Sequence, residues 1–321
     1  MNISIIIPNF NGFQHLKNNL PGLINAIAHQ AIEVIIVDNG SKDQSIDYLK
    51  NTYPQILIIR IPSPIGFSRS CNIGAKKARS LLLLFLNNDV AVSNNFFIPL
   101  IKHFDDDKVF AVTPSIIVPR MGNLNEALTS ATFKGGAINV DFYASRRWKK
   151  QPDAALPILF GCGAALMVDK EKFSQLGGFD ELYSPFYCED LDLSYRAQRR
   201  GWKVLCEPKS IVYHLKEGTI ASEFKHRSIA IIRRKNQYIF IWKNIFDIKL
   251  LLSHFFELLL VKILIPNITE WIAIGQALAQ LPAILIKRQE ESHFNAVKDR
   301  AILDSSAYFL EEGEAPWQKH I

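Results

Sequence analysis

The stretch LLLLFLNNDV, residues 81–90, decides the fold. Its six consecutive apolar residues, 81–86, are too few for a typical helix and suit a strand buried on both faces of a parallel sheet. The run stops at Asn87-Asn88-Asp89. An acid at the carboxyl end of such a strand points into the crevice where open α/β sheets bind ligands. Taken alone, Asp89 fits equally well as a turn residue or as the N-cap of a following helix.

The sequence before this stretch alternates between two periodicities. Strand-like apolar runs are followed each time by a segment with apolar residues at helical spacing. The resulting order β-α-β-α-β-α-β predicts a mostly parallel α/β sheet with right-handed crossovers. The predicted strands are Ile3–Ile7, Glu33–Val37, Ile56–Ile61 and the Leu81 run, and the predicted helices are His15–Ala28, Ser45–Asn51 and Phe67–Ser80.

Three of these strands end in polar residues, Asn9, Asp38 and Asp89, which we expect at one rim of the sheet. No Walker or dinucleotide glycine pattern follows the first strand, so a nucleotide here would be held by side chains, backbone and a metal. A carboxylate such as Asp38 can accept hydrogen bonds from a base N–H or a ribose hydroxyl. The following Asn39-Gly40-Ser41 also allows a turn or helix-cap role for Asp38.

The middle of the chain is harder to interpret. We expect a helix over Ser93–Lys108 and a strand over Val109–Val118. Residues 119–157 are rich in Gly, Asn, Ser, Lys and Arg and lack a clear period, which indicates a long excursion over the active face. A hairpin is expected within it around Ala131–Val140.

Two further candidates follow the excursion. A strand over Leu159–Met167 and a short helix over Asp169–Leu176 precede a helix that runs to Arg200. The first turn of that helix contains Glu189, Asp190 and Asp192, which favour the helix dipole; alternatively, Glu189 or Asp190 faces the crevice as a general base. Strand-like Ser210–Tyr213 precedes His214, and a solitary His in such a place is more often a surface or packing residue than a ligand.

Composition limits the class of protein. With 321 residues, 48% of them hydrophobic, the chain has a sizeable core, which excludes intrinsic disorder for most of it. The net charge is +6, and a basic cluster at residues 225–249 suits phosphate-bearing partners, an anionic membrane face or a solvated helix face. Nucleic acid is not expected as a partner, because zinc spacings, RNA-binding signatures and basic zippers are missing.

Four widely separated cysteines without metal-finger spacing indicate reduced thiols in a cytoplasmic protein. We expect no secretory leader, because the chain enters strand-like Ile3–Ile7 at once.

Beyond residue 220 the sequence changes to apolar runs with a basic cluster. This change predicts two domains, residues 1–220 and a helical region, residues 221–321. Trp271–Ile286 carries no charge, but its 16 residues fall short of the roughly 20 that a spanning helix needs, and it contains Pro282. We favour helices that lie on the membrane, assisted by the basic cluster. An ordinary helical subdomain, a homodimer contact and a true span are the alternatives.

Six motifs in order connect these features to a known family. The chain resembles bacterial family 2 glycosyltransferases with a GT-A fold, of the rhamnosyltransferase-like branch, over roughly residues 2–220. The fold implied is a Rossmann-like, mixed but mostly parallel sheet, here with a C-terminal helical extension. The matching pieces are IIIPNFNG, EVIIVDNGSKDQS, GFSRSCNIG, LNNDV, GGFDELYSPFYCEDLDLSYRAQRRG and VYHLKEGT.

The resemblance implies roles for the residues at the nucleotide site. Pro8 and Asn9 would lie at the nucleotide rim, and Asp38 would contact the base or ribose. Asn72 would lie on the helix that flanks the nucleotide. Asn88 would contact the substrate.

The resemblance also implies a metal site and a base. Asp89 matches the last acid of the family's metal-binding DXD motif, which here is Asn87-Asn88-Asp89 with one acid only, and His214 would complete the site. The expected ion is Mg²⁺ or Mn²⁺, which would stabilise the leaving diphosphate. Asp190 resembles the catalytic base, with Glu189 as its neighbour.

The leading hypothesis is therefore an inverting, metal-dependent transfer of a sugar from a nucleotide-sugar donor, dTDP-rhamnose or a UDP-sugar. The acceptor would be a cell-surface polysaccharide or a lipid-linked glycan, at the inner face of the cytoplasmic membrane. The reduced acidic motif keeps open a non-catalytic nucleotide-sugar-binding or assembly subunit. A nucleotidyltransferase is disfavoured, because the glycine-rich triphosphate loop is missing near the N-terminus.

Overall fold

A mixed ten-stranded sheet forms the centre of the computed structural model, which describes residues 3–141, 153–215, 224–263 and 267–304. The main path through the sheet runs β10-β12-β6-β11-β4-β1-β2-β3, with β5 paired to β12 and β7 to β6. A separate hairpin joins β8 and β9. The strands are β1 (Ile3–Asn9), β2 (Ile32–Asn39), β3 (Leu57–Ile61), β4 (Leu82–Leu86), β5 (Val90–Val92), β6 (Val109–Val118), β7 (Leu124–Asn125), β8 (Ser130–Lys134), β9 (Ala137–Asp141), β10 (Leu156–Pro157), β11 (Ala165–Asp169) and β12 (Lys203–His214).

The N-terminal half is parallel, as the alternating pattern predicts. β1 pairs in parallel with both β2 and β4, and β2 pairs in parallel with β3. Leu83, Leu84 and Phe85 are fully buried between helices on the two faces of the sheet. One detail of the prediction is wrong: Leu81 lies outside the strand and is 72% exposed.

The second half of the sheet is mixed. β11 runs antiparallel between β4 and β6, whereas β12 runs parallel to β6. β11 begins only at Ala165, later than expected, while Leu159 and Phe160 pack in a separate apolar cluster with the C-terminal helices. The two predicted strands before His214 form the single strand β12, which is irregular between Glu207 and Ile211. The predicted hairpin at 131–140 is confirmed.

Helices cover the sheet and extend beyond it. One prediction is wrong: over Ser93–Lys108 the helical part is only α4 and the 3₁₀ turn Lys102–Asp105. The helices are α1 (Phe13–Ala26), α2 (Ser45–Thr52), α3 (Phe67–Lys77), α4 (Ile98–Ile101), α5 (Lys170–Gln175), α6 (Glu189–Arg199), α7 (His226–Asn244), α8 (Ile248–Glu257), α9 (Ile268–Leu278), α10 (Leu281–Ser292) and α11 (Asp299–Asp304), with a π-helical turn at Leu258–Ile263.

α7 is joined to the sheet-bearing part by buried ion pairs. Lys243, which is 1% exposed, places its ammonium 2.5 Å from Asp180 and 2.7 Å from Asp192. Asn244 donates to Asp192 at 2.8 Å, and Arg196 pairs with the same carboxylate at 2.7 Å. Each buried charge here has an opposite partner, as burial requires. The predicted domain boundary at 220/221 lies outside the described residues.

In the part of the chain that the structure describes, no single helix has both the length and the apolar character needed to cross a bilayer. The pair α9 and α10 passes that test only when taken together, with a bend of 63° between them.

Candidate functional site

Strand pairing brings Asp89 and His214 together. β4 ends at Leu86, and a tight turn, closed by a hydrogen bond from Val90 N–H to the carbonyl of Asn87 at 3.3 Å, leads into β5. β5 runs antiparallel to the end of β12, with Val90 opposite His214. His214 Nε2 therefore lies 3.3 Å from Asp89 Oδ2, although 125 positions separate the two residues.

A third residue, Glu126, holds the other side of the imidazole. Its Oε1 forms a short hydrogen bond with His214 Nδ1, and its backbone N–H donates to the carbonyl of Ile116 on β6 at 2.9 Å. Glu126 follows β7, a two-residue strand on the edge of β6. Sequence reasoning missed this residue, because it lies in the aperiodic excursion and no spacing connects it to His214.

The electrostatics of these three side chains favour a cation. Burial alone would raise the pKa of Asp89, but the hydrogen bond and charge of His214 outweigh it and lower that pKa. Burial opposes protonation of His214, yet hydrogen bonds to Asp89 and Glu126 raise its pKa to about 9. Two carboxylates thus act on one imidazole, which leaves an excess of negative charge at the rim.

The Asp89–His214 pair fits a divalent ion held by few protein ligands. Two ligand atoms bound at right angles, each about 2.1 Å from an ion, lie about 3 Å apart, close to the separation seen. With Nδ1 bound to Glu126, Nε2 is the nitrogen that faces Asp89, as in carboxylate–histidine–metal arrangements. Among the described residues no group of three or more His, Cys, Asp or Glu side chains forms a complete metal site. The remaining positions would be left to water and phosphate oxygens.

The start of α6 presents Asp190 to the same region on a strained turn. Tyr187 and Cys188, which immediately precede the helix, both have left-handed backbone conformations, with φ of 74° and 72°. Such conformations are costly for residues other than glycine and are often found at functional sites. Asp190 Oδ2 accepts from Gly163 N–H at 3.1 Å, and Oδ1 accepts from Leu191 N–H at 2.8 Å.

Side chains of α7 contact this turn and the residues just before it. The amide Nδ2 of Asn236 lies within hydrogen-bonding distance of the carbonyls of Tyr183, Phe186 and Tyr187, at 2.7, 2.9 and 2.8 Å. Arg233, one helical turn earlier, lies 4.5 Å from the centre of the Tyr187 ring. The conformation that aims Asp190 therefore depends on residues far along the chain.

Among the described residues, Glu189 and Asp190 have no cationic partner comparable to those of Asp192. Burial raises the pKa of Asp190, and the carboxylate of Glu126 adds to that rise against the N–H donors. Burial and the charge of Asp190 raise the pKa of Glu189, whose Oε2 has no hydrogen-bond partner among the described residues. Gly163, whose N–H binds Asp190, is followed by Ala164, whose carbonyl accepts from the N–H of Asn87 at 2.9 Å. Asp190 therefore lies beside the turn that carries Asp89.

The predicted nucleotide rim is organised by Asn9. Its Nδ2 donates to Asp38 Oδ1 and to Ser41 Oγ, each at 3.2 Å, and its Oδ1 accepts from Asn88 Nδ2 at 2.8 Å. A Cβ at Gly12 would come within 2.1 Å of Asn88 Nδ2, so only glycine leaves room for the last bond. The structure thus brings Asn9, Asp38 and Asn88 together, with Asp38 fully buried beneath the rim.

Two predicted residues lie at the edges of this arrangement. Pro8 is half-buried in β1 opposite Val37 of β2. Asn72 lies on α3, where its side-chain amide donates to the carbonyl of Phe179 at 2.8 Å and accepts from the Phe179 N–H at 2.9 Å. It fastens α3 to the loop before α6. The roles assigned to Pro8, Asn72 and the rim residues stay predictions.

The comparison with known families fits this geometry. The model of glycosyl transferase family 2 matches residues 4–177 of the chain. The chain belongs to this family. Within the matched range lie the rim, Asp89 and Glu126, while Asp190 and His214 follow it.

Two curated relatives show the range of proteins that this chain is similar to. Polypeptide N-acetylgalactosaminyltransferase 4 of Caenorhabditis elegans is 26% identical over 195 residues, 57% of this chain and 33% of that protein. The O-antigen biosynthesis protein RfbC of Myxococcus xanthus is 25% identical over 227 residues, 66% of this chain and 17% of that protein. This family 2 chain thus spans a third or less of the length of these two relatives.

Solved structures show the same fold. The crystal structure of GalNAc-T7 with UDP, GalNAc and Mn²⁺ matches with a TM-score of 0.65 at 17% identity, covering 98% of this chain and 58% of that one. The mannosyltransferase PcManGT from Pyrobaculum calidifontis, in complex with GDP-Man and Mn²⁺, matches with 0.55 at 16% identity, covering 96% and 85%. The predicted GT-A fold is confirmed.

Proposed function

We propose that this family 2 chain is an inverting glycosyltransferase that uses a nucleoside-diphosphate sugar, dTDP-rhamnose or a UDP-sugar. The observation that carries the proposal is the grouping of His214 with Asp89 and Glu126 at the end of β4, with the carboxylate of Asp190 held beside the same turn. Asp190 is held there through Gly163 and the backbone hydrogen bond between Asn87 and Ala164. One group suits the diphosphate end of the donor, and the other suits the acceptor hydroxyl.

Asp190 is the group we assign as general base. An acceptor hydroxyl is a poor nucleophile until a base begins to take its proton. A carboxylate with a raised pKa is a better base than an ordinary one at neutral pH, and burial provides that rise here. Because a single base acts on the face opposite the leaving group, the product has inverted configuration at the anomeric carbon. The proton ends on Asp190, and the nucleoside diphosphate leaves.

Asp89 and His214 are the residues we assign to a Mg²⁺ or Mn²⁺ ion. When bound, such an ion supplies positive charge that stabilises the diphosphate as it leaves. Glu126 accepts from His214 Nδ1 and so keeps Nε2 directed at Asp89. Both solved structures that match the fold contain Mn²⁺, which supports this assignment. Asn9, Asp38 and Asn88 would position the nucleoside part of the donor.

A bacterial envelope glycan or a lipid-linked glycan is the acceptor that we propose. The similarity to an O-antigen biosynthesis protein supports this class of acceptor. A non-catalytic, donor-binding subunit is the second candidate, favoured only by the single acid in Asn87-Asn88-Asp89. His214 weakens that argument, because it adds a possible metal ligand where the motif lacks acids. Glu126 weakens it further, because it orients His214.

The decisive experiment is a titration of the chain with UDP-, GDP- and dTDP-sugars, with and without Mn²⁺, followed by an assay of donor hydrolysis and transfer. We expect one donor to bind in a metal-dependent way and Asp89→Asn to abolish the metal dependence. Asp105→Asn, on the 3₁₀ turn after α4, is the control and should bind donor normally. Metal-dependent donor binding without any hydrolysis or transfer would favour the non-catalytic subunit. Equal binding by Asp89→Asn would contradict the metal assignment.

A further inference from the structure

The exposed apolar side chains of the chain are concentrated on three C-terminal helices. Twelve of the eighteen large hydrophobic residues that are exposed in the described part of the chain lie on α8, the π-helical turn, α9 and α10. We call them the apolar face: Ile248, Leu252, Phe255, Phe256, Leu259, Leu260, Ile268, Trp271, Ile272, Leu278, Leu285 and Ile286. Large exposed apolar patches mark surfaces that contact another apolar phase.

The spacing of the exposed apolar residues shows that they lie on one side of each helix. Along α8 and the π-helical turn the exposed residues recur every three to four positions, at 248, 252, 255/256 and 259/260. α9 repeats the pattern at 268, 271/272 and 278. The π-helical turn contacts α9, and α9 and α10 both pack on α7, so the stripes belong to one surface. An ordinary surface helix would present its polar side here.

Two polar residues, one on α8 and one on α9, are buried and fix that orientation. His254 of α8 is buried, where Nδ1 lies 2.6 Å from the carbonyl oxygen of Gly136 and Nε2 accepts from Trp242 Nε1 at 2.9 Å. Glu270 of α9 is buried against Arg234 and the hydroxyl of Tyr238. Because these contacts would break if the helices rotated, the apolar stripes cannot turn toward the core.

Charge selects the occupant of this surface. Among the residues of α8, the π-helical turn and α9 whose exposure the structure describes, no exposed one is a carboxylate, and Lys249 is the one exposed charge. Exposed Lys225, Arg227 and Arg233 add positive charge on α7, the helix on which α9 and α10 pack. A surface that binds another protein normally has a polar rim with hydrogen-bonding groups around its apolar centre. Apolar stripes with basic neighbours instead suit the acyl and headgroup layers of an anionic bilayer.

We propose that α8, α9 and α10 form a docking surface for the interface of an anionic lipid bilayer, with the apolar face in the acyl boundary. The helices lie along the membrane plane and do not cross it. Trp271, 47% exposed, suits this depth, since an indole ring prefers the boundary between apolar and polar layers. The cytoplasmic leaflet carries anionic lipids, so this surface would hold the chain at the inner side of the membrane.

The test is sedimentation of the full chain with vesicles of phosphatidylglycerol and phosphatidylethanolamine, and with vesicles of phosphatidylcholine alone. We expect binding to the anionic vesicles and at least tenfold weaker binding to the neutral ones. The triple variant Phe255→Ser, Phe256→Ser, Trp271→Ser should lose at least tenfold in binding to anionic vesicles. Leu57→Ser combined with Leu81→Ser, two exposed residues on the sheet-bearing part, is the matched control and should bind as the unmodified chain does.

Four outcomes would overturn the proposal. The first is an unmodified chain that stays in the supernatant with both kinds of vesicle. The second is binding by the triple variant equal to that of the control. The third is a dimer in solution that the triple variant abolishes while vesicle binding is missing, which would assign the face to a second copy. Bound protein that resists alkaline carbonate extraction would also overturn surface docking, in favour of insertion. Donor titrations on the same variants keep this result independent of the proposed transfer.

Discussion

Two groups of carboxylates on and around α6 differ in how their charge is balanced. Asp192 and Asp180 share Lys243, and Asp192 also pairs with Arg196; burial would raise the pKa of both carboxyls, but these cations lower it. Glu189 and Asp190, at the start of the same helix, have raised pKa values and no such cation in the part of the chain that the structure describes. The first group joins α6 to α7 through paired charges, and we propose that the second is kept for a ligand.

Of the substitutions that test this difference between the two groups, Asp190→Asn should have the largest effect. If the unpaired carboxylate is the base, its loss should lower turnover by about 10²- to 10⁴-fold, the usual contribution of general base catalysis. Donor affinity should stay the same, because Asp190 is assigned to the acceptor side. Steady-state kinetics and donor titration measure the two effects. Turnover within threefold of that of the unmodified chain would contradict the assignment.

The paired group should respond in stability and not in chemistry. Lys243→Met removes the cation shared by Asp180 and Asp192 and leaves their charges buried with less compensation. Breaking a buried ion pair from one side typically costs about 3–5 kcal/mol in the free energy of unfolding. Urea denaturation measures this cost, with Lys50→Met, an exposed lysine on α2, as control. Equal midpoints for the two variants would remove the contrast between the groups.

A smaller effect, on metal affinity, is expected at the rim. Glu126→Gln keeps the shape of the side chain but weakens the acceptor for His214 Nδ1, and outer carboxylates of this kind are worth about 10- to 100-fold in metal affinity. Mn²⁺ titration followed by electron paramagnetic resonance measures it without any turnover. Glu207→Gln is the matched control, since Glu207 binds His103 at 2.6 Å elsewhere along β12. Identical Mn²⁺ affinities in the two variants would leave Glu126 without a positioning role.

The sequence was sufficient wherever local pattern and strand order decide the structure. The parallel strands and the hairpin at 131–140 follow from local sequence pattern. The meeting of Asp89 with His214 was implied only by the resemblance to the family. The helix expected over Ser93–Lys108 is wrong in most of its length: Ser93–Phe97 is not helical and Phe96 and Phe97 pack in the core, so tertiary packing overrides local helical preference there.

Long-range polar contacts lie beyond such reasoning. Glu126 reaches His214 across 88 positions, and Lys243 reaches Asp180 across 63. No periodicity encodes these pairs, because each depends on how distant elements pack. The sequence indicates that α8 and α9 are rich in apolar residues. Only the structure shows that their apolar stripes face outward.

The turn at Tyr187 and Cys188 has a practical consequence. The carbonyl of Tyr187 is bound by Asn236, and the carboxylates of Asp180 and Asp192, one on each side of the turn, are balanced by Lys243. Both Asn236 and Lys243 are supplied by α7. A shortened expression fragment that stops where the motifs of the family stop would therefore keep every assigned ligand and still release the loop that aims Asp190. Anyone trimming this chain for crystallisation or for directed evolution should keep α7 in the fragment.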